Sequence, residues 1–91
     1  MTTPTYIVGT VEYLKAQVTC DFALNTQAVA IRIDTGAWVT ATWIGSAGLV
    51  RTAEALVNFA TVAAGRHEVY VKITDSPEVP ILSAGAIHVG T

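Results

Sequence analysis

Alternation of apolar and polar residues is clearest between residues 14 and 24, where it predicts one long β-strand. One face of this strand holds Leu14, Ala16, Val18, Cys20, Phe22 and Leu24, and the other holds Lys15, Gln17, Thr19 and Asp21. Because successive side chains of a strand point to opposite faces, the apolar set is expected to face a core. A shift of one residue would exchange the two faces, so the register is strongly specified.

The same alternation predicts five further strands along the chain. They are expected at residues 29–33, 38–44, 49–59, 67–74 and 81–89. Turn-forming residues separate them, including a tight hairpin at Thr35 and Gly36, where glycine would supply a positive φ. Within residues 49–59, the segment 52–57 would also suit a helical turn, but its neighbours are strands, so we predict a strand that is interrupted near Glu54.

Residues 1–9 are predicted to form an N-terminal arm, and residues 10–91 a single domain. Tyr6, Ile7 and Val8 are apolar, so we expect the arm to be held, either as an edge strand or against a neighbour. Six or seven short strands at near-regular spacing, with no convincing helix, indicate an all-β fold. The prediction is an antiparallel β-sandwich of the immunoglobulin-like kind.

The two tryptophans fall on opposite faces of the strand predicted at residues 38–44. Alternation alone leaves open which of them is buried. We favour Trp43 as the core residue, packed across from Cys20, and Trp38 as partly exposed.

Composition suggests that something other than water covers part of the surface. Hydrophobic residues make up 52% of the chain and charged residues 13%, whereas an ordinary soluble domain has about 25% charged residues. No apolar run approaches the roughly 20 residues of a membrane-spanning helix, and the N-terminus lacks a secretion signal, so we expect synthesis in the cytoplasm. A net charge of -2 without a basic patch argues against nucleic acid as a partner.

The residues that could carry chemistry do not form a recognisable site, so we predict no enzyme, no cofactor and no metal. Asp34 and Asp75 fall where strands meet turns, and such carboxylates commonly accept hydrogen bonds from backbone amides. His67 and His88 are expected to face outward, away from a buried Cys20, which leaves too few ligands for zinc. The other candidates are isolated carboxylates and loop serines: Asp21, Glu54, Glu78, Ser46, Ser76 and Ser83. The loop at 75–78 offers too few carboxylates for calcium.

The outward strand positions are small or uncharged, with aromatic residues between them, which is typical of a protein–protein interface. The chain has only two lysines that could prevent its edge strands from pairing with strands of other molecules. The interface candidates are Tyr6, Ile7, Val8, Trp38, Thr40, Thr42 and Tyr70. One alternative is a soluble monomer with a bland surface. Another is a carbohydrate- or receptor-binding module, in which Trp38 and Tyr70 stack on sugar rings beside Arg32 or Asp34.

Three segments resemble small structural proteins encoded by tailed phages of actinobacteria. They are ATWIG at 41–45, GLVRTA at 48–53, and VYVKITDSPEVPI at 69–81 with Ala84 and Gly85, and the resemblance spans about residues 9–89. It implies a virion component with an immunoglobulin-like sandwich and no enzymatic activity. The first expectation is a capsid decoration protein that binds the major capsid protein, another virion protein or its own copies. A tail, head–tail junction or baseplate component is the second.

Overall fold

The computed structural model describes residues 5–24, 26–74 and 79–90, with the backbone alone described for 21–23. Seven strands run along the chain: β1 (Thr5–Ile7), β2 (Val11–Leu24), β3 (Ala28–Ile33), β4 (Val39–Ile44), β5 (Gly48–Asn58), β6 (Gly65–Thr74) and β7 (Ile81–Gly90). A short 3₁₀ turn at Phe59–Thr61 follows β5, and the described residues contain no α-helix. The predicted all-β class is therefore confirmed.

The strands form one mixed sheet in the order β1-β7-β6-β3-β4-β5-β2. β4 divides its pairing, because residues 39–41 bond to β3 and residues 42–44 bond to β5. The sheet bends around the core and nearly closes into a barrel. The prediction that all strands are antiparallel is wrong for β1, which pairs with β7 in parallel. Alternation within a strand reports its faces and carries no information about the direction of a distant partner.

The inward face of β2 matches the alternation that predicted it. Leu14, Ala16, Val18 and Leu24 are buried, and Cys20 is half-buried against the core. The strand begins at Val11, three residues earlier than expected, and pairs with β5 without interruption as far as Thr19. Inward residues of the other strands complete the core, namely Val29, Ile31, Ala41, Ala53, Ala55, Val57, Val69, Val71, Ile73, Ile87 and Val89, together with Phe59.

β5 is a continuous strand, so the predicted interruption near Glu54 is wrong. Glu54 pairs with Lys15 of β2 on one side and with Thr42 of β4 on the other. Because both neighbours supply ladder partners at this point, the backbone stays extended whatever the local preference for helix.

The turn after β3 differs from the predicted hairpin in which residue carries the unusual backbone angle. Asp34 has a φ of 52°, whereas Gly36 is not among the residues with positive φ. The Gly36 amide donates to the Ile33 carbonyl over 3.0 Å. Asp34 can occupy the left-handed region because a short polar side chain tolerates it.

Trp43 packs against the core and Trp38 lies on the outer side of the sheet, as favoured from the sequence. The Trp43 indole donates to the Gln27 carbonyl over 2.8 Å, which satisfies the polar atom of a half-buried ring. Its direct cross-strand partner is Ala53, because β5 lies between β4 and β2.

Predictions that concern residues 1–4, the loop at 75–78 and the side chains of Asp21 and Phe22 lie outside the described residues. For residues 5–7 of the predicted arm, the edge-strand alternative is the one observed. None of the described segments forms a helix with the length and hydrophobicity that crossing a membrane requires.

Candidate functional site

Five exposed apolar residues gather where β1 leads into β2, and we call this group the apolar patch. It consists of Ile7, Val8, Val11, Tyr13 and Leu56. Tyr13 and Leu56 are direct cross-strand partners, and 57% and 51% of their respective surfaces are exposed. Val11 lies two positions before Tyr13 and therefore shares its face. Apolar side chains clustered in this way mark a surface that is suited to contact with another molecule.

The turn that carries the apolar patch is fixed by hydrogen bonds around Thr10. Its amide donates to the Ile7 carbonyl over 3.3 Å, and its carbonyl accepts from the Phe59 amide over 2.8 Å. The Thr10 hydroxyl lies 2.7 Å from the Ile7 carbonyl and 2.9 Å from a carboxylate oxygen of Glu12. Gly9 permits the turn, since its φ of 86° falls in the left-handed region. These hydrogen bonds therefore fix the backbone of the turn that carries the apolar patch.

The predicted interface residues divide among four places. Ile7 and Val8 belong to the apolar patch, whereas Tyr6 points inward and stacks on Phe59 with ring centres 4.8 Å apart. Thr40 and Thr42 are exposed on the outer face of β4. The remaining two, Trp38 and Tyr70, lie near each other elsewhere on the molecule.

Sequence reasoning missed the main members of the apolar patch, Val11, Tyr13 and Leu56. Val11 and Tyr13 continue the outward row of Lys15 and Gln17 toward the N-terminus. Extending the alternation upstream of Leu14 would have placed both of these apolar residues on the wet face. Apolar residues at positions predicted to face water are the signal that could have identified this part of the apolar patch.

Trp38 and Tyr70 lie beside two cations on the outer face of β3 and β6. The Arg32 guanidinium carbon lies 4.7 Å from the Trp38 ring centre and 5.3 Å from that of Tyr70. The Lys72 ammonium lies 4.8 Å from the same Trp38 ring. Such contacts are stabilising because the ring faces carry partial negative charge. They also leave less of the indole free to stack on a sugar.

Asp34 and His67 form a second cluster, which ties the turn after β3 to β6. One Asp34 oxygen accepts from the Glu68 amide over 2.9 Å, and the other lies 2.5 Å from His67 Nδ1. The second ring nitrogen, Nε2, lies 2.7 Å from the Ala63 carbonyl. Asp34 accepts from a backbone amide, as predicted, but this amide belongs to Glu68 of β6 and not to the turn itself. The outward orientation expected for His67 is wrong, because His67 lies two residues before Val69 on the inward row of β6, and only 14% of its side chain is exposed.

Both neighbours of the His67 ring are hydrogen-bond acceptors, so the geometry favours an imidazolium with a proton on each nitrogen. The hydrogen bond to Asp34 raises the pKa of His67, and the bond to Ala63 adds to this effect. The hydrogen bonds from His67 and Glu68 lower the pKa of Asp34. In this arrangement His67 has no free lone pair with which to act as a base. The Asp34–His67 pair therefore has a structural role, which is to link the turn after β3 to β6.

A cleft of about 480 Å³ lies at this end of the molecule, between the turn after β3 and the segment around Thr61. Its lining is largely apolar, and Asp34 and His67 lie at its edge. Among the described residues, no group of three or more histidine, cysteine or acidic side chains could hold a metal ion. Comparison with known proteins finds no matching family model, no matching curated protein and no matching solved structure.

Proposed function

We propose that this chain is a non-enzymatic structural protein that attaches to a larger protein assembly through the apolar patch. The observation that carries the proposal is the exposed Tyr13–Leu56 pair, flanked by Val11 and the Ile7–Val8 segment. Leaving these side chains in water is unfavourable, and covering them costs little conformational entropy because the strands already fix their backbone. Aromatic and aliphatic anchors of this kind supply most of the affinity in protein interfaces.

The proposed assembly is the virion of a tailed phage, and the proposed role is capsid decoration. The support is the resemblance of segments 41–45, 48–53 and 69–81 to small structural proteins of actinobacterial phages. The proposed partners are the major capsid protein or another virion protein, together with further copies of this chain. A tail, head–tail junction or baseplate position is the second choice within the same class.

We also propose that the bent sheet is an immunoglobulin-like sandwich. The parallel pairing of β1 with β7 supports this, since β1 then joins a layer made of β3, β6 and β7. The other layer would contain β2, β5 and the second half of β4. A strand that changes layers midway is one way in which sandwich corners are made.

Co-sedimentation with capsids of the encoding phage tests the proposed function. The chain is expected to pellet with the capsids, and Leu56→Ser is expected to weaken binding about tenfold or more, as loss of a central anchor does. Val79→Ser is the matched control, because Val79 is similarly exposed outside the patch and its loss is expected to change nothing.

Two outcomes would contradict the proposal. One is a chain that stays in the supernatant with both capsids and tails. The other is saturable binding to a glycan array that depends on Trp38 or Tyr70, which would instead favour the carbohydrate- or receptor-binding alternative.

A further inference from the structure

β2 lies at one end of the sheet, and no described strand pairs with its outer edge. It is also the longest strand, with 14 residues. A strand edge of this kind exposes a row of backbone donors and acceptors that a further strand can satisfy.

We call the outer edge of β2 the free edge. Two hydrogen bonds identify which residues of β2 point their backbone groups toward it. The Thr10 carbonyl points toward β5, because it accepts from the Phe59 amide at the end of that strand. The Lys15 amide points the other way, toward the Tyr6 hydroxyl at 3.5 Å. Because the backbone groups of successive strand residues point to opposite edges, the odd-numbered residues from Val11 to Thr19 present their amides and carbonyls to the free edge.

The free edge has few of the devices that usually prevent strand pairing. Between Val11 and Thr19 the strand contains no proline, and its pairing with β5 is regular throughout. One lysine, Lys15, lies on the outward row, and its cross-strand partner is Glu54. The long contact between the Lys15 amide and the Tyr6 hydroxyl is weaker than a hydrogen bond to a strand carbonyl.

We propose that two copies of this chain pair through the free edges of β2, in antiparallel orientation, so that one sheet continues across the dimer. A twofold axis makes the edge complementary to itself. To keep both outer faces on the same side, odd-numbered residues must oppose odd-numbered residues.

Charge excludes one register of this pairing, and the length of paired strand favours another. Centring it on Lys15 would place two ammonium groups opposite each other, which is unfavourable for a cross-strand pair. A shift of two residues places Lys15 opposite Gln17 of the second copy, and Tyr13 opposite Thr19. In this register no like charges face each other between residues 13 and 19.

Sedimentation equilibrium on the full chain, over a series of concentrations, tests the pairing. The wild-type chain is expected to form a reversible dimer. Gln17→Pro is expected to leave it monomeric, because proline removes a free-edge donor, whereas an edge position tolerates proline within the fold. Circular dichroism checks that this variant is folded.

Charge changes at the same position test the register without depending on the proline variant. Gln17→Glu would face Lys15 of the second copy and is expected to tighten the dimer about threefold to tenfold, and Gln17→Lys to weaken it by a similar factor. Ser83→Glu and Ser83→Lys are the controls, since Ser83 is exposed on β7. A chain that stays monomeric at every concentration, or a dimer indifferent to all changes at Gln17, would overturn the proposal.

The pairing uses the backbone edge of β2, whereas the proposed capsid contact uses the side chains of the apolar patch, two of which, Val11 and Tyr13, lie on the same strand. Capsid binding is assigned to the apolar patch and is tested by co-sedimentation of Leu56→Ser. This substitution lies on β5 and leaves the free edge of β2 unchanged. Loss of one property with retention of the other therefore identifies which proposal fails.

Discussion

Individual side chains in this protein act mainly by tying loops to the sheet. His67 illustrates this, because its two ring nitrogens contact acceptors on different segments, Asp34 and the Ala63 carbonyl. The sequence could suggest that Asp34 accepts from a backbone amide, since a carboxylate at the end of a strand commonly does so. It could not suggest the partners, Glu68 and His67, which are 34 and 33 residues away and become neighbours only when β3 pairs with β6.

Stability is expected to depend on pH through this pair. The folded-state pKa of His67 is raised above its ordinary value of 6.5, so its contribution is complete below that value and is lost as pH rises through the raised pKa. The pKa of Asp34 is lowered from 3.8, so its contribution is present above that value and is lost as pH falls through the lowered pKa. Stability from this pair should therefore be greatest between about pH 4 and pH 6.5.

Urea unfolding across this pH range, compared with that of Asp34→Asn, measures the effect. The variant is expected to lose about 1 kcal/mol near pH 6, since Asp34 is partly solvated, and to show a flatter profile above neutral pH. An unchanged profile in the variant would show that another group titrates.

At the level of elements, alternation predicted the strands well and gave no information about which strands pair. The inward rows of β2, β3 and β6 were read correctly because each buries only one face. The predicted interruption at Glu54 failed because Lys15 and Thr42 hold that residue from both sides. The members of the apolar patch on β2 were missed because the strand was taken to begin at Leu14. Pairing and strand ends depend on distant residues, which a local pattern does not contain.

β1 is held to the molecule by its pairing with β7 and by one aromatic contact, which gives a second prediction. The strand has only three residues, and Tyr6 anchors it by stacking on the fully buried Phe59. Tyr6→Ala is expected to speed hydrogen exchange at the Val8 amide, which bonds the Gly90 carbonyl, about tenfold or more if the lost ring contact is worth about 1.5 kcal/mol. Exchange in β6 should stay unchanged.

Tyr6→Phe is the matched control for this exchange experiment, because it keeps the stacked ring and removes only the hydroxyl. Equal exchange in the two variants would show that the ring contact does not hold β1.

We expect the whole molecule to unfold as one cooperative unit, because β4 belongs to both halves of the bent sheet. Trp38 contacts cations on β3 and β6, whereas Trp43 lies on the part of β4 that pairs with β5. The two indoles therefore report on different halves. Trp38→Phe and Trp43→Phe, each leaving one indole, are expected to give fluorescence transitions that coincide with circular dichroism of the same variant.

Transitions that separate in either single-tryptophan variant would show that the halves unfold independently. Trp43→Phe is also expected to lower the stability by about 1 kcal/mol, since the Gln27 carbonyl loses its donor.

The parallel arrangement of β1 and β7 determines how the molecule would respond to mechanical load. Thr5 lies beside His88, and Ile7 lies beside Gly90, so tension applied at Thr5 and at Gly90 would slide the two strands past each other lengthwise. All the bonds between them would then carry the load together, whereas peeling would break them one at a time. A chain that is pulled at these two positions would therefore resist rupture better than one whose terminal strands peel apart.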